Sequence, residues 1–280
     1  MEYPRFEGDR VINAALAEDV GLGDITTLST VPGEERSAAH LVAKEELLLA
    51  GLPAFFRVFA LLDPDDPVVW ESTFKDGDRV QAGETIAVGK GSSRTLLTGE
   101  RTALNILQRL SGIATMTADW ASELAGTKTR LIDTRKTTPG LRALEKYAVR
   151  VGGGANHRIG LFDGVLIKEN HIRAAGSIAK AVASAKKRAP HTLKVEVEVT
   201  NLEELKSAIE AGADAVLLDN MDNATLAEAA LVSNGRLILE ASGNMSKERL
   251  ASVAQTGVDL ISAGALTHSA PSVDLSLLFK

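Results

Sequence analysis

The sequence predicts an α/β protein in two parts, an N-terminal α/β sandwich domain followed by an incomplete (β/α) barrel. Three observations carry this. Short apolar runs alternate with helical segments through the second half: TRLID, GVLIK, KVEVEV, DAVLLD, RLILEA and GVDLISAG. Their Val, Ile and Leu content suits parallel strands buried on both faces. The residues closing four successive runs, Glu198, Asp219, Ser242 and Ala263, lie 21, 23 and 21 residues apart, the repeat of a βα unit. About six strands are present, fewer than the eight of a closed barrel. A doubly wound open sheet is the alternative, but no glycine-rich dinucleotide fingerprint opens the first βα unit.

Taken in order, residues 9–20 (DRVINAALAEDV) read as a short amphipathic helix and GLGDITT as a glycine-rich turn. SAAHLVAKEELLLAG alternates as strands do, LPAFFRVFALL reads as a helix, and DPDDP breaks the chain. Residues 68–90, with turns at Gly77 and Gly83, resemble the strand–turn–strand pattern of barrel-sandwich modules without their modified-lysine motif. From about Ser93 to Leu124 a long helical stretch links the two parts, with Gly99 and Gly112 as expected interruptions. LEELKSAIEAG, ATLAEAALVSNG and KERLASVAQTG fit amphipathic helices between the later strands. Asn201 and Glu204 form a capping box for the first of them, and Ser246 caps the last. Domain bounds of 1–107 and 108–269 follow, with the tail 270–280 packing back on the first domain.

The chain has 280 residues, enough to build a core without staples, and no cysteine. That excludes a disulfide scaffold, a zinc-thiolate site, an iron–sulfur cluster and a Cys nucleophile. Aromatic residues are 4% and the net charge is −6, which argues against a nucleic-acid binder. MEYPRFEGDR carries no apolar leader-like run and no stretch is long enough for a membrane span, so a cytoplasmic protein is expected. Charge is uneven: residues 130–173 hold nine Lys/Arg against four acids, +5, which leaves −11 for the rest. A basic island in an acidic chain suggests a pocket for small anions; a solvated helix face is the plainer alternative.

In such barrels the chemistry gathers at the C-terminal ends of the strands. Here those ends are polar one after another: Asp133-Thr134-Arg135-Lys136, Lys168-Glu169-Asn170-His171, Glu196 and Glu198, Asp219-Asn220, Glu240 and Ser242-Gly243. Unpaired buried charges cost several kcal/mol, so packing alone does not explain the pattern. Arg135, Lys136, His157, Arg158, Lys168 and His171 form a cationic set suited to carboxylates and phosphates. Glu198 and Asp219, with Glu196 possible, form an acidic set of the kind that holds Mg²⁺ or ribose hydroxyls. Ser242-Gly243-Asn244 and Ala263-Gly264-Ala265 are small enough for backbone N–H groups to approach a phosphate; tight packing is the alternative. The residues thus point to an anionic substrate, a phosphorylated sugar and a divalent metal in one pocket.

The run DTRKTTPGLRALEKYAVRVGGGANHRIGLFDGVLIKENHI resembles the signature of the quinolinate phosphoribosyltransferase family, the carboxylating nicotinate-nucleotide pyrophosphorylases. GERTALNILQRLSGIAT, VEVEVTNLEEL, VLLDN, LEASGN and GVDLISAGALTHS surround it in family order, so the resemblance covers about residues 10–275. It implies conversion of quinolinate and phosphoribosyl pyrophosphate to nicotinate mononucleotide, pyrophosphate and CO₂ with Mg²⁺, for de novo NAD biosynthesis. It implies a homodimer with shared active sites, in which hexamers are a further possibility. By motif, Arg101 from the partner subunit joins Arg135, Lys136, His157, Arg158 and Lys168 around quinolinate. Glu198 and Asp219 meet ribose and metal, and act with Lys136 in catalysis. Thr134, Ser242, Gly243, Asn244, Ala263, Gly264, Ala265 and His268 complete the substrate contacts. Three alternatives stand beside this: a molybdenum-locus relative with a TRKT-like run, which lacks the support of the intact NHR and KENH runs; a Schiff-base aldolase using Lys168; and a non-catalytic anion binder.

Overall fold

The computed structural model describes residues 2–280 and divides into two compact units. The first comprises Met1–Ala118, Thr137–Gly153 and Ser269–Lys280; the second comprises Asp119–Lys136 and Gly154–His268. Residues 137–153, which the sequence reading kept within 108–269, thus cluster with the first unit.

The first unit opens with α1 (Arg5–Asp19), which buries Gly8, Ile12 and Leu16 along one stripe. GLGDITT is not wholly a turn. Asp24 accepts the Thr27 N–H at 3.0 Å and starts a short helix, α2 (Ile25–Thr30). Then come β1 (Arg36–Ala43), β2 (Leu47–Leu48), α3 (Leu52–Leu62), β3 (Val69–Ser72), β4 (Arg79–Val80) and β5 (Thr85–Ser92). The start of α3 has its own acceptor: the Asp76 carboxylate takes the N–H groups of Gly51 and Leu52 at 2.8 and 2.9 Å. The last strand of the chain, β12 (Leu275–Phe279), joins this sheet, whose antiparallel order is β12-β1-β5-β3. Its core holds Leu41, Phe55, Phe59, Ile86, Leu96 and Leu104, with Trp70 stacked on Phe56.

The helix α4 (Ser93–Ser122) runs without a break. Gly99 and Gly112 serve close approach, not interruption. A Cβ at Gly99 would meet the Phe59 ring at 2.9 Å, and one at Gly112 would collide with the Pro271 carbonyl oxygen. Backbone cannot yield as a flexible side chain does. Gly112→Ala is therefore expected to destabilise the protein by about 2–3 kcal/mol, lowering the melting temperature by roughly 5–10 °C. A calorimetric midpoint equal to wild type would contradict this. The helix α5 (Arg142–Val151) also belongs to the first unit, where the Tyr147 hydroxyl donates to Asp76 at 2.7 Å and Arg109 pairs with the fully buried Glu145 at 3.0 Å.

The second unit contains β6 (Arg130–Ile132), β7 (Val165–Ile167), β8 (Val195–Val199), β9 (Ala215–Asp219), β10 (Ile238–Ser242) and β11 (Leu260–Ser262). They form one parallel sheet in the order β6-β11-β10-β9-β8-β7. Ala155 bridges Ile132 beyond β6, and no ladder joins β6 to β7 among the described residues, so the barrel is incomplete. The connecting helices are α6 (Glu169–Ala175), α7 (Ile178–Arg188), α8 (Leu202–Glu210), α9 (Asn223–Ser233), α10 (Lys247–Ala254) and α11 (Ala265–His268). Asn201 caps α8 by accepting the Glu204 N–H at 2.9 Å, but Glu204 reaches back to the Thr200 N–H instead of closing the expected box. Ser246 holds the N-cap position of α10 without a side-chain cap bond; Glu248 takes its hydroxyl instead. No helix among the described residues is long and apolar enough to cross a membrane.

Candidate active site

The strand ends of the second unit open into a cavity of about 580 Å³, within the range of small-molecule sites. After β6, Asp133 is fully buried and organises the neighbouring segment. It accepts the His157 N–H at 2.8 Å and the Asn156 amide at 2.6 Å. Lys136 is tied through its backbone, its N–H to the Thr134 hydroxyl at 3.0 Å and its carbonyl to the Thr267 hydroxyl at 2.8 Å. Gly264 gives it room: a Cβ there would meet Lys136 Cδ at 2.9 Å and His268 Nε2 at 3.2 Å. Lys136 and His268 therefore converge over the Gly264 backbone.

The cations are crowded. Burial lowers the Arg158 guanidinium's affinity for its proton, and nearby Arg135 lowers it further. Arginine keeps its charge regardless. Arg158 donates to the Gly164 carbonyl at 2.9 Å, yet its Nε is buried with no acceptor. A buried donor without a partner costs about 1–3 kcal/mol. Lys168, at the end of β7, pairs its Nζ with Glu198 at 2.8 Å. His171 stays local, its Nδ1 accepting the Lys168 N–H at 2.9 Å at the start of α6.

On the other side, Asp219 closes β9 and accepts the Asn220 amide at 2.9 Å. Asn220, Gly243 and Asn244 all have positive φ. A Cβ on Gly243, at φ 95°, would strike the Asn220 side chain, so only glycine fits. The Ser262 hydroxyl donates to Ser242 Oγ at 3.0 Å. These small residues leave backbone within reach of a phosphate.

Glu198 and Asp219 lie at the ends of adjacent strands and offer the hard oxygen donors that Mg²⁺ takes alongside substrate phosphates. A deeper trio, His157, Glu196 and Glu240, brings its donor atoms within 4.8 Å of one another. Burial, then the charge of Glu196, raise the Glu240 carboxyl above the usual carboxylate range.

Two family models match the chain in tandem: the quinolinate phosphoribosyl transferase N-terminal domain over residues 24–111 and its C-terminal domain over 113–278. The chain belongs to the quinolinate phosphoribosyltransferase family. It is 46% identical over 268 residues to a probable nicotinate-nucleotide pyrophosphorylase [carboxylating] of Bacillus subtilis, covering 96% of this chain and 92% of the relative. It is 40% identical to a mitochondrial quinolinate phosphoribosyltransferase [decarboxylating] of Nicotiana glauca, covering 98% and 83%. Among solved structures it matches NadC from Streptococcus pyogenes with a TM-score of 0.95 at 43% identity, covering 100% and 99% of the two chains. The nicotinate-nucleotide pyrophosphorylase of Francisella tularensis matches with a TM-score of 0.94 at 44% identity, covering 100% and 98%.

For a quinolinate phosphoribosyltransferase the cavity is well furnished. Thr134, Arg135, Lys136, His157, Arg158, Lys168, Glu198, Asp219, Ser242, Gly243, Asn244, Ala263, Gly264, Ala265 and His268, all expected from sequence, line it together. Arg101 does not; it lies exposed on α4 in the first unit. Sequence reasoning left out Asn220, Glu240 and Ser262 as site residues, although all three line the cavity. The signal for Glu240 was a lone acid inside an apolar parallel strand, which needs a buried partner. His157 lies among acids. Its Nδ1 accepts the Arg158 N–H at 2.6 Å and its Nε2 faces Glu196 at 3.2 Å in the cavity floor.

Proposed function

We propose that this protein transfers the phosphoribosyl group of phosphoribosyl pyrophosphate to quinolinate with loss of CO₂, giving nicotinate mononucleotide and pyrophosphate for de novo NAD biosynthesis. The observation that carries this reading is that Arg135, Arg158 and Lys168 line one cavity with Glu198, Asp219 and the strand-end backbone of Ser242–Asn244 and Ala263–Ala265. It is a site built for an anion of more than one charge. Arg135, Arg158 and Lys168 hold the two pyridine carboxylates and aim the ring nitrogen at the anomeric carbon. Strand-end backbone at Ser242–Asn244 and Ala263–Ala265 holds the 5′-phosphate, with Thr134 and His268 beside it. The nitrogen forms its bond to the sugar as the pyrophosphate oxygen leaves, and Glu198 and Asp219 face the positive charge that develops on the ribose. Mg²⁺, held by the same two acids, supplies charge neutralisation at the pyrophosphate when bound. Lys136 adds a further cation where phosphate oxygens gather. Quaternising the nitrogen makes the ring an electron sink. The C2–carboxylate bond then breaks, its electron pair stays on C2, and C2 takes up a proton. No covalent enzyme intermediate is required.

The protein acts as a homodimer, with hexamers as a possible higher assembly, and Arg101 of one protomer completes the partner's site. Exposed Phe6, Leu22 and Ile25 on the first unit supply apolar surface for such an association. Two water-soluble anionic substrates suit a cytoplasmic reaction. The second carboxylate is the test of this reading. Nicotinate lacks the 2-carboxylate and would leave part of the crowded cationic set uncompensated, so its kcat/KM is expected to be at least about 100-fold below that of quinolinate. Comparable turnover of the two acids in a nucleotide-forming assay would overturn the reading.

A further inference from the structure

We propose that Asp133 is a positioning residue that sets the Arg158 side of the quinolinate wall against the Arg135 side. The proposal rests on the substrate assignment above. Arg135 and Arg158 line one cavity, yet the chain between them leaves the second unit after Lys136 and returns to it at Gly154. Local sequence therefore does not set their spacing. Asp133 directly follows β6, is fully buried and does not itself line the cavity.

The backbone joins the two runs only part of the way. Ala155 bridges Ile132 in parallel. Its N–H donates to the Leu131 carbonyl at 2.8 Å, and its carbonyl accepts the Asp133 N–H at 3.1 Å. The next rung of a parallel ladder would run from the His157 N–H to the Asp133 carbonyl. Here the Asp133 side chain takes that rung, with Oδ1 accepting the His157 N–H at 2.8 Å. Oδ2 accepts the Asn156 side-chain amide at 2.6 Å. One carboxylate thus engages two consecutive residues of the run that leads into Arg158. A carboxylate reaches further than a carbonyl, so the runs stay tied while they part, and Arg135 and Arg158 both reach the cavity.

Arg158 continues from the tied run. Its N–H donates to His157 Nδ1 at 2.6 Å and its guanidinium to the Gly164 carbonyl at 2.9 Å. The phosphate side is fastened separately. Lys136 is held by its N–H on the Thr134 hydroxyl at 3.0 Å and by its carbonyl on the Thr267 hydroxyl at 2.8 Å, and neither contact uses the Asp133 carboxylate. Loss of the Asp133 contacts therefore shifts His157 and Arg158 against Arg135 and leaves the strand-end backbone at Ser242–Asn244 and Ala263–Ala265 in place. A displacement of about 1 Å is enough to spoil the placement of a bound substrate.

The test moves the charge across the contact, in the full chain. In Asn156→Asp two carboxylates face each other, and at about pH 8 sharing a proton between them is unfavourable. KM for quinolinate is expected to rise by about tenfold or more, with KM for phosphoribosyl pyrophosphate within about threefold of wild type. Adding Asp133→Asn sets an amide donor opposite the new carboxylate and keeps an oxygen for the His157 N–H. The double variant is expected to bring KM for quinolinate back to within about threefold of wild type. Asp133→Ala, which removes both contacts, should lose at least as much as Asn156→Asp alone. Should it fail to fold, the exchange at 133 and 156 still decides, because Asn156 is half-buried and each replacement matches the shape of the residue it replaces. An unchanged KM for quinolinate in Asn156→Asp, an equal rise in both KM values, or a double variant no better than Asn156→Asp overturns the proposal. A wild-type protein making no nicotinate mononucleotide is a different failure, that of the substrate assignment. It is read before any variant is made and removes the ground of this inference with it.

Discussion

Asp219→Asn is expected to lower kcat/KM for phosphoribosyl pyrophosphate by about 10²–10³-fold while leaving quinolinate binding within about threefold. The side chain closes β9 and accepts the Asn220 amide at 2.9 Å, a contact whose geometry an isosteric amide can largely keep. On the proposed reading the substitution removes a negative charge beside the sugar and one of two hard oxygen donors for Mg²⁺. The cationic wall of Arg135, Arg158 and Lys168 is untouched. The loss should therefore fall on the sugar substrate and on the magnesium dependence. Steady-state kinetics at varied phosphoribosyl pyrophosphate and Mg²⁺, with direct titration of quinolinate, read the split. Unchanged magnesium and sugar-substrate dependence would remove Asp219 from that role.

Mixing two inactive variants should restore activity. If sites are shared as proposed, Arg101→Ala lacks the crossing cation and Lys136→Ala lacks a cation of the pocket, and each variant alone is expected to lose at least about 100-fold in kcat/KM. In a mixed dimer one site receives an intact Arg101 and an intact Lys136, so up to about half the wild-type activity per dimer should return. Arg101 is exposed on α4 while Leu104, Leu107 and Leu110 of the same helix are buried. The side chain is thus free to reach a partner. Subunit exchange demonstrated by mass, with no recovery of activity, would rule out a shared site.

Much of this was legible in the sequence because a βα repeat places one strand end after another on the same rim. The regular spacing of Glu198, Asp219, Ser242 and Ala263 encodes the cavity wall directly. What stayed hidden depends on contacts distant in sequence. Nothing near Gly112 announces that Pro271 will press against it, so a glycine needed for close approach reads as a helix breaker. Residues 137–153 carry the signature run, but Tyr147 bonds Asp76 and Glu145 bonds Arg109, and these pairings join the segment to the first unit. His157 reads as a cation in a basic run; only the fold brings Glu196 and Glu240 against its ring. The helix at Ile25 was missed for a local reason, since Asp24 was read as part of a turn and not as a cap.

The most direct test of the central claim is to follow quinolinate labelled in its 2-carboxylate through the reaction with phosphoribosyl pyrophosphate and Mg²⁺. The account predicts labelled CO₂, nicotinate mononucleotide and pyrophosphate in equal amounts, each dependent on both substrates. Label retained in the nucleotide, or binding of both substrates without any CO₂ or nicotinate mononucleotide, would contradict it.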